Sequence, residues 1–361
     1  MITSVRSLYS WQQPIWLSLQ ALRQRMPHAI LLYGQAGIGK RDFATFFAQS
    51  LLCENPLEQG VPCTTCDPCG WFEQYSHPDF RRVRPENLDE EETQFLDATN
   101  DSVSDGGEVD AKKTTKTSKT PSKEIRIEQI RALASFMNVS THRNCKRVVL
   151  LYPAETLNHA SANALLKTLE EPPPKTVIVL VANRIDRLLP TILSRCRKIA
   201  MPVPIREESL AWLSARKVED PDIWLDEQGG APIAAYEQYQ IGNRDALDGF
   251  LQMLGRPSRE SALTVAEQMQ KTPLALLVSW LQRWLYDLSA CKLSDRMNFR
   301  PRYYPRYREQ LTALAAKVPA TVLITAAATV SQRRAIADHP LSPKLFIEDM
   351  LLDYVNIFPE E

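Results

Sequence analysis

A glycine-rich run that ends in lysine is the first candidate functional site in the sequence. Gly34, Gly37, Gly39 and Lys40 lie in the sequence GQAGIGK. Such a loop presents backbone N–H groups and an ammonium to phosphate oxygens. The next residue normally supplies a hydroxyl to Mg²⁺, but here it is Arg41, which cannot ligate a metal. The pattern predicts a phosphate-binding fold, does not favour ATP hydrolysis, and leaves binding of ATP or ADP open.

Four cysteines at short spacing form the second candidate site. Cys53, Cys63, Cys66 and Cys69 include two C-x-x-C steps that share Cys66. Four thiolates complete a tetrahedral Zn²⁺ site and leave no open position for a substrate, so the predicted metal is structural. A redox C-x-x-C pair or an iron–sulfur cluster would use the same residues. The cluster follows the helix predicted after the phosphate loop and is expected to stiffen an insertion there.

The sequence predicts secondary structure on both sides of the phosphate loop. An apolar strand is predicted over 28–33, directly before the loop, and a helix over 42–52, directly after it. A second buried strand is predicted over 148–152. In active P-loop ATPases an acidic pair follows this strand and positions Mg²⁺ and water. Here Pro153 stands in the metal-binding place, and Glu155 is either a displaced catalytic acid or a charge at a helix N-terminus.

The stretch 161–197 predicts helix, strand and helix in that order. An apolar stripe lies at helical spacing before three prolines, the β-branched run 176–182 predicts a buried strand, and 188–193 predicts a short helix. That helix ends at Ser194, Arg195 and Cys196. Arg195 is either an ordinary surface charge or a donor to a phosphate held by another molecule.

Bulk composition bounds the class of protein. The 43 basic and 43 acidic residues balance, which argues against a protein that binds nucleic acid through its overall charge. The absence of a long apolar run and of a signal-peptide pattern predicts a soluble, cytoplasmic protein with no membrane contact. Residues 86–123 are acidic, then lysine-rich, and poor in apolar side chains. This composition predicts a flexible insertion, although its lysines offer DNA a contact.

The C-terminal part of the chain is helical in pattern. Residues 203–243 are predicted to form a small helical lid, and 244–361 a second helical domain. Trp280 and Trp284 lie one turn apart, where they either join helices or stack on bases. Residues 298–309 alternate arginine with tyrosine and form either a surface loop without a ligand or a contact for DNA or a partner.

These features resemble, in their order, the delta-prime subunits of bacterial DNA polymerase III clamp loaders. The resemblance rests on the phosphate loop, the four-cysteine insertion, ASANALLKTLEEPP and LLPTILSRCR, and it covers most of residues 1–240. The segment 341–352 is similar to the last helix of that family. The insertion 86–123 departs from the common pattern.

The resemblance implies an α/β plus all-α protein. An AAA+ P-loop (RecA-like) domain would occupy 1–202, with the zinc module at 53–69. A helical lid would follow at 203–243, and a helical oligomerisation collar at 244–361. The expected assembly contains gamma or tau motor subunits and a delta subunit. It loads the sliding clamp on primer–template DNA.

The resemblance also implies roles for single residues. Arg195, positioned by Ser194 and Cys196, would act in trans on the nucleotide of a neighbouring motor. Asn183 matches the phosphate-sensing position, and Ile233 stands where ATP-binding relatives carry a second sensor arginine. The expected subunit is therefore one that does not hydrolyse ATP, and the competing hypothesis is an ATP-hydrolysing motor of the same assembly.

Overall fold

The computed structural model of the chain describes residues 8–88, 121–139, 141–142, 146–294, 299–337 and 342–359. The chain divides into two compact units, Met1–Val203 and Pro204–Glu361. Most of the insertion predicted over 86–123 lies outside the described residues. The lid and collar boundaries predicted within the second unit stay predictions.

A five-stranded parallel sheet forms the centre of the first unit. Its strand order is β2-β3-β4-β1-β5, and every neighbouring pair is parallel. The strands are β1 (Ala29–Tyr33), β2 (Phe80–Val83), β3 (Arg147–Leu151), β4 (Thr176–Ala182) and β5 (Arg197–Ala200).

The central strands are apolar because both faces of the sheet are covered. Every residue of β3 and β4 is buried, as their continuous Val, Ile and Leu runs predict for a parallel sheet. The edge strand β5 was not expected from the sequence. It has the polar run RKIA with a largely exposed pattern, and only its pairing with β1, for example Leu31 with Lys198, defines it as a strand.

Helices of the first unit lie close to their predicted positions, with shifted ends. The second helix begins at Lys40 rather than residue 42, so the lysine belongs to the first helical turn. The helix predicted over 188–193 spans Pro190–Arg195, because Pro190 is suited to the first turn. The helices are α1 (Gln13–Ala21), α2 (Lys40–Leu52), α3 (Asp67–Glu73), α4 (Ile127–Met137), α5 (His159–Glu170) and α6 (Pro190–Arg195).

The described part of the second unit is helical. Leu213 and Leu225 belong to one apolar cluster, and a separate cluster runs from Leu247 to Phe358. The helices are α7 (Arg206–Ser214), α8 (Pro221–Glu227), α9 (Pro232–Ile241), α10 (Arg244–Gly255), α11 (Arg259–Gln268), α12 (Leu274–Leu293), α13 (Arg308–Lys317), α14 (Ala320–Ile336) and α15 (Pro343–Val355).

Trp280 and Trp284 of α12 are core residues. Both are at most 2% exposed, and Trp284 Nε1 donates to the Tyr354 hydroxyl at 2.8 Å. Burial of both indoles excludes base stacking in this structure and confirms the helix–helix interpretation.

The arginine–tyrosine loop is held by a buried carboxylate. Its first predicted residue, 298, lies outside the described part. Asp287 of α12 is fully buried and accepts backbone N–H groups from Arg302, Tyr303 and Tyr304 at 2.8–2.9 Å. Burial raises the pKa of Asp287, and the three N–H groups oppose that shift. The loop therefore has one defined backbone conformation over these residues.

Among the residues that the structure describes, no single helix is long and apolar enough to cross a membrane. The segments 305–317 and 320–334 reach the required length and composition only as a pair, which is bent by 113°.

Candidate functional site

The phosphate loop joins β1 to α2 at the carboxyl edge of the sheet, where α/β proteins bind ligands. Gly39 has φ +85°, and a Cβ there would lie 2.7 Å from Tyr9 Cε2. A Cβ on Gly34 would lie 2.3 Å from the Met201 carbonyl oxygen. Both positions therefore require glycine for packing within this chain, independently of any phosphate.

Lys40 is turned into the protein. Its side chain is buried, with 4% of the residue exposed, and Nζ donates to the Gln35 carbonyl oxygen at 2.5 Å. Burial lowers the pKa of Lys40 to about 8, and the negative charge of Glu155 opposes that lowering. The ammonium therefore binds a carbonyl oxygen of its own loop.

The burial of Lys40 predicts a pH-dependent stability effect. The folded-state pKa, about 8, lies below the ordinary value of 10.5, so the charged lysine costs stability below pH 8. This cost fades as pH rises from 8 to 10.5. We expect Lys40→Met to raise the free energy of unfolding by up to about 3 kcal/mol at pH 7, and the gain to shrink above pH 8.

Urea unfolding of the intact chain at pH 7 and pH 9.5 measures this difference. Lys167→Met, at an exposed position of α5, is the matched control for the substitution itself. A gain for Lys40→Met that is the same at both pH values would contradict a charged, buried Lys40.

Glu155 follows β3 and reaches the end of β4. Its two carboxylate oxygens accept the backbone N–H of Asn183 at 3.0 and 3.2 Å. The sequence left open whether Glu155 is a displaced catalytic acid or a helix-terminal charge. It lies in a 3₁₀ turn, Ala154–Thr156, and accepts from the backbone of Asn183, which the family resemblance matches to a phosphate-sensing position. The carboxylate of Glu155 is therefore hydrogen-bonded to the backbone at the end of β4.

The four cysteines converge as a metal site requires. Their Sγ atoms all lie within 4.8 Å of one another, with Cys53 3.5 Å from Cys63 and 3.9 Å from Cys66. Zn–S bonds of about 2.3 Å in a tetrahedron place sulfurs about 3.8 Å apart. A disulfide would bring two sulfurs to about 2.05 Å. A cluster of several irons would spread the four further apart. The residues therefore fit one metal ion.

The local surroundings of the cysteines are unequal. Burial raises the pKa of Cys53 and Cys69, whereas a backbone hydrogen bond from Thr65 lowers that of Cys63 to about 6. Cys69 lies on α3, whose Phe72 packs on Phe80 of β2 with ring centroids 4.5 Å apart. The cysteine module is thus anchored to the sheet by an aromatic contact.

Arg195, the last residue of α6, lies at the protein surface with about a third of its side chain exposed. Its Nη1 donates to the Thr191 carbonyl oxygen at 3.0 Å and to Ser194 Oγ at 3.2 Å. Its Nη2 lies 2.5 Å from Glu170 Oε1, at the end of α5. The guanidinium is accessible, and contacts within its own chain fix its orientation.

Ser194 and Cys196 differ in what they do for Arg195. Ser194 Oγ contacts the guanidinium and donates to the Thr191 carbonyl oxygen at 3.0 Å. Cys196 is 8% exposed and packs in the apolar cluster under the sheet, where burial raises the pKa of its thiol to about 11. Cys196 therefore anchors the junction between α6 and β5 as a neutral, apolar side chain.

Sequence reasoning missed two parts of this site. Gln12 Nε2 donates to the Gly39 carbonyl oxygen at 2.9 Å, and Trp11 Nε1 to that of Ile38 at 3.1 Å, so the N-terminal turn packs on the phosphate loop. Glu170 is the other missed residue. Two glutamates precede the three prolines in the sequence. Only the approach of α5 to α6 in the structure shows that Glu170 is the one that contacts Arg195.

The strand order, the loop between β1 and α2 and the helical second unit define a P-loop protein of the AAA+ class. A family model described as DNA polymerase III, delta subunit, matches residues 13–204. The delta-prime subunit of DNA polymerase III from Pseudomonas aeruginosa is 35% identical over 295 residues, which are 80% of this chain and 79% of that protein. The chain belongs to the family of DNA polymerase III delta-prime subunits, which makes it a clamp-loader subunit.

Two further relatives are also DNA polymerase III subunits. The delta-prime subunit from Haemophilus influenzae is 30% identical over 294 residues, covering 80% of this chain and 79% of that protein. The gamma subunit of DNA polymerase III from Buchnera aphidicola is 30% identical over 224 residues, covering 62% of this chain and 51% of that protein. The similarity extends to a second type of subunit of the same polymerase.

Proposed function

We propose that this chain is a clamp-loader subunit that does not itself hydrolyse ATP and that supplies Arg195 in trans to the nucleotide of a neighbouring motor. The observation that carries this proposal is the contrast between two cations. Lys40 is buried on its own loop, whereas Arg195 is accessible at the surface. The proposed partners are gamma or tau motors and a delta subunit. Through the assembly, the chain serves the sliding clamp and primer–template DNA.

The chain's own phosphate site supports the absence of hydrolysis. Arg41 and Pro153 occupy positions where a hydroxyl and a carboxylate would hold Mg²⁺. Glu155 is bonded to the Asn183 backbone, and Lys40 to the Gln35 carbonyl. Phosphoryl transfer depends on metal and cation placement, and these groups do not provide it.

The position of Arg195 supports a role at a neighbour's nucleotide. A guanidinium stabilises charge that develops during phosphoryl transfer, and it can do so from another subunit. Ser194 and the Thr191 carbonyl bind one nitrogen of Arg195. Since a guanidinium carries five N–H donors, it can also offer donors outward to a phosphate.

The cysteine cluster is proposed to hold structural zinc. Sulfur separations of 3.5 and 3.9 Å suit a single tetrahedral ion, and four thiolate ligands are typical of structural Zn²⁺. Cys53 ends α2, and Cys69 lies on α3, so the ion would tie the helix after the phosphate loop to the module that follows it. The ion would supply stability rather than catalysis.

An ATPase assay on the isolated chain tests the absence of hydrolysis. We expect no turnover with Mg²⁺ and ATP, because both metal-binding positions are lost. Lys40→Ala serves as the diagnostic variant. Turnover by the isolated chain that Lys40→Ala abolishes would establish the alternative, an ATP-hydrolysing motor, and would overturn the proposal.

A further inference from the structure

The contacts of Arg195 show a side chain drawn back onto its own subunit. Nη1 bonds the carbonyl oxygen of Thr191, one helical turn before Arg195 in α6. A bond to that carbonyl requires the arginine to fold along its own helix. The second nitrogen, Nη2, lies 2.5 Å from Glu170 Oε1 on α5. Both ends of the guanidinium fork are therefore engaged within the chain.

Glu170 is an unusual neighbour for an arginine that serves a phosphate. Its side chain is about half exposed, so no burial requirement explains the pair. A phosphate that approaches Nη2 of Arg195 meets the Glu170 carboxylate, which is also negatively charged. Nη2 carries two N–H groups, but a phosphate bonded to the second one would lie close to the Glu170 carboxylate. Repulsion between the two anions therefore favours one of them on Nη2 at a time.

We propose that Glu170 is a positioning residue that competes with the neighbour's nucleotide for Arg195. This inference rests on the proposed function of Arg195 as a trans donor. With no nucleotide beside it, Arg195 is held back by Glu170 and Thr191. A nucleotide phosphate on the neighbouring subunit displaces the carboxylate and draws the arginine outward. The donor is thereby engaged only when the neighbouring site is filled.

The strength of the pair suits such an exchange. An ion pair between partly exposed side chains changes an equilibrium by about two- to fivefold. That is enough to bias Arg195 toward the retracted position. The Arg195–Glu170 pair is also weak enough to be replaced by a phosphate at a subunit interface, because charge-assisted hydrogen bonds are stronger there.

The test uses clamp loader reconstituted with the full chain. The Arg195-dependent ATPase rate, which is the rate of the intact loader minus that of an Arg195→Ala loader, is measured against ATP concentration. Glu170→Gln keeps the shape and a hydrogen-bonding oxygen but removes the charge. We expect the KM of the Arg195-dependent rate to fall about two- to fivefold and its kcat to stay unchanged, because the competitor is gone.

Glu171→Gln is the matched control. It removes the same charge from the next residue, which is also exposed, and is expected to leave KM unchanged. An equal fall in KM for Glu171→Gln would show a general charge effect. A fall in kcat for Glu170→Gln would show that Glu170 aims the arginine at the phosphate. Unchanged kinetics would show that the pair is inert. Each of these results overturns the competition.

The same experiment separates this inference from the function on which it rests. If Arg195→Ala leaves the ATPase rate of the loader unchanged, the trans role itself is wrong. If Arg195→Ala lowers the rate and Glu170→Gln has no effect, only the competition is wrong. In the double variant, Glu170→Gln is expected to add nothing to Arg195→Ala, because it acts through that arginine.

Discussion

Arg195→Ala is expected to abolish the contribution of one motor site to the ATPase rate of the reconstituted clamp loader. An arginine supplied by a neighbouring subunit is worth about 10³–10⁵ in kcat at the site it serves. The total rate therefore falls by the share that this site contributes, and the other sites continue. Steady-state ATPase measurements with clamp and primed DNA give the result.

Assembly is expected to survive this substitution. The side chain of Arg195 is partly exposed, and its ion pair with Glu170 is worth no more than about 1 kcal/mol. Arg195→Lys keeps the charge but loses the planar guanidinium. We therefore expect the ATPase rate of the Arg195→Lys loader to lie between those of the intact loader and the Arg195→Ala loader. Arg184→Ala is the matched control, since Arg184 is an exposed arginine that pairs with Asp186 and precedes α6 in the sequence. An unchanged rate for an assembled Arg195→Ala loader would remove the trans role.

Substitution of one of the four cysteines is expected to have the second large effect, on zinc content and on the stability of the module around α3. We expect the purified chain to contain about one equivalent of zinc and Cys66→Ser to contain almost none, because three thiolates leave the tetrahedron open. Structural zinc contributes about 10–16 kcal/mol in small zinc-finger peptides, so the module around α3 should unfold without it. Metal analysis by mass spectrometry and protease sensitivity near residues 53–73 measure both consequences.

Cys291→Ala is the control for removal of a cysteine. Cys291 is buried in α12 of the second unit and lies outside the four-cysteine cluster. Its substitution should leave the zinc content at about one equivalent. Iron in place of zinc, or a full equivalent of metal in Cys66→Ser, would contradict the proposed four-thiolate zinc site.

Local sequence patterns determined the central part of the fold. The run 176–182 forms β4 with the predicted bounds, and the stripe before the three prolines forms α5. Both predictions are correct because neighbouring residues in the chain reveal the burial pattern. A continuous apolar run indicates a strand buried on both faces, and an apolar stripe at helical spacing indicates a helix buried on one face. The phosphate loop succeeds for the same reason, since its glycines, lysine and flanking elements are contiguous.

Sequence patterns were weaker wherever an element depends on a distant partner. The edge strand β5 has no apolar alternation, and its backbone pairing with β1 alone makes it a strand. Trp16 illustrates the same limit in α1. Trp16 is fully buried against Phe43, Phe46 and Phe47, and only this tertiary contact shows that the indole faces the core.

Residue types and spacing were enough to identify the chemical groups of this protein: a phosphate loop without its metal-binding partners, four cysteines at metal-ligand spacing, and an arginine after a short helix. The surroundings of those groups became visible only in the folded chain. Folding turned Lys40 onto Gln35, brought four sulfurs within 4.8 Å, and set Arg195 against Glu170. Residue types and short spacings are local, but burial, charge pairing and convergence depend on segments that only folding brings together.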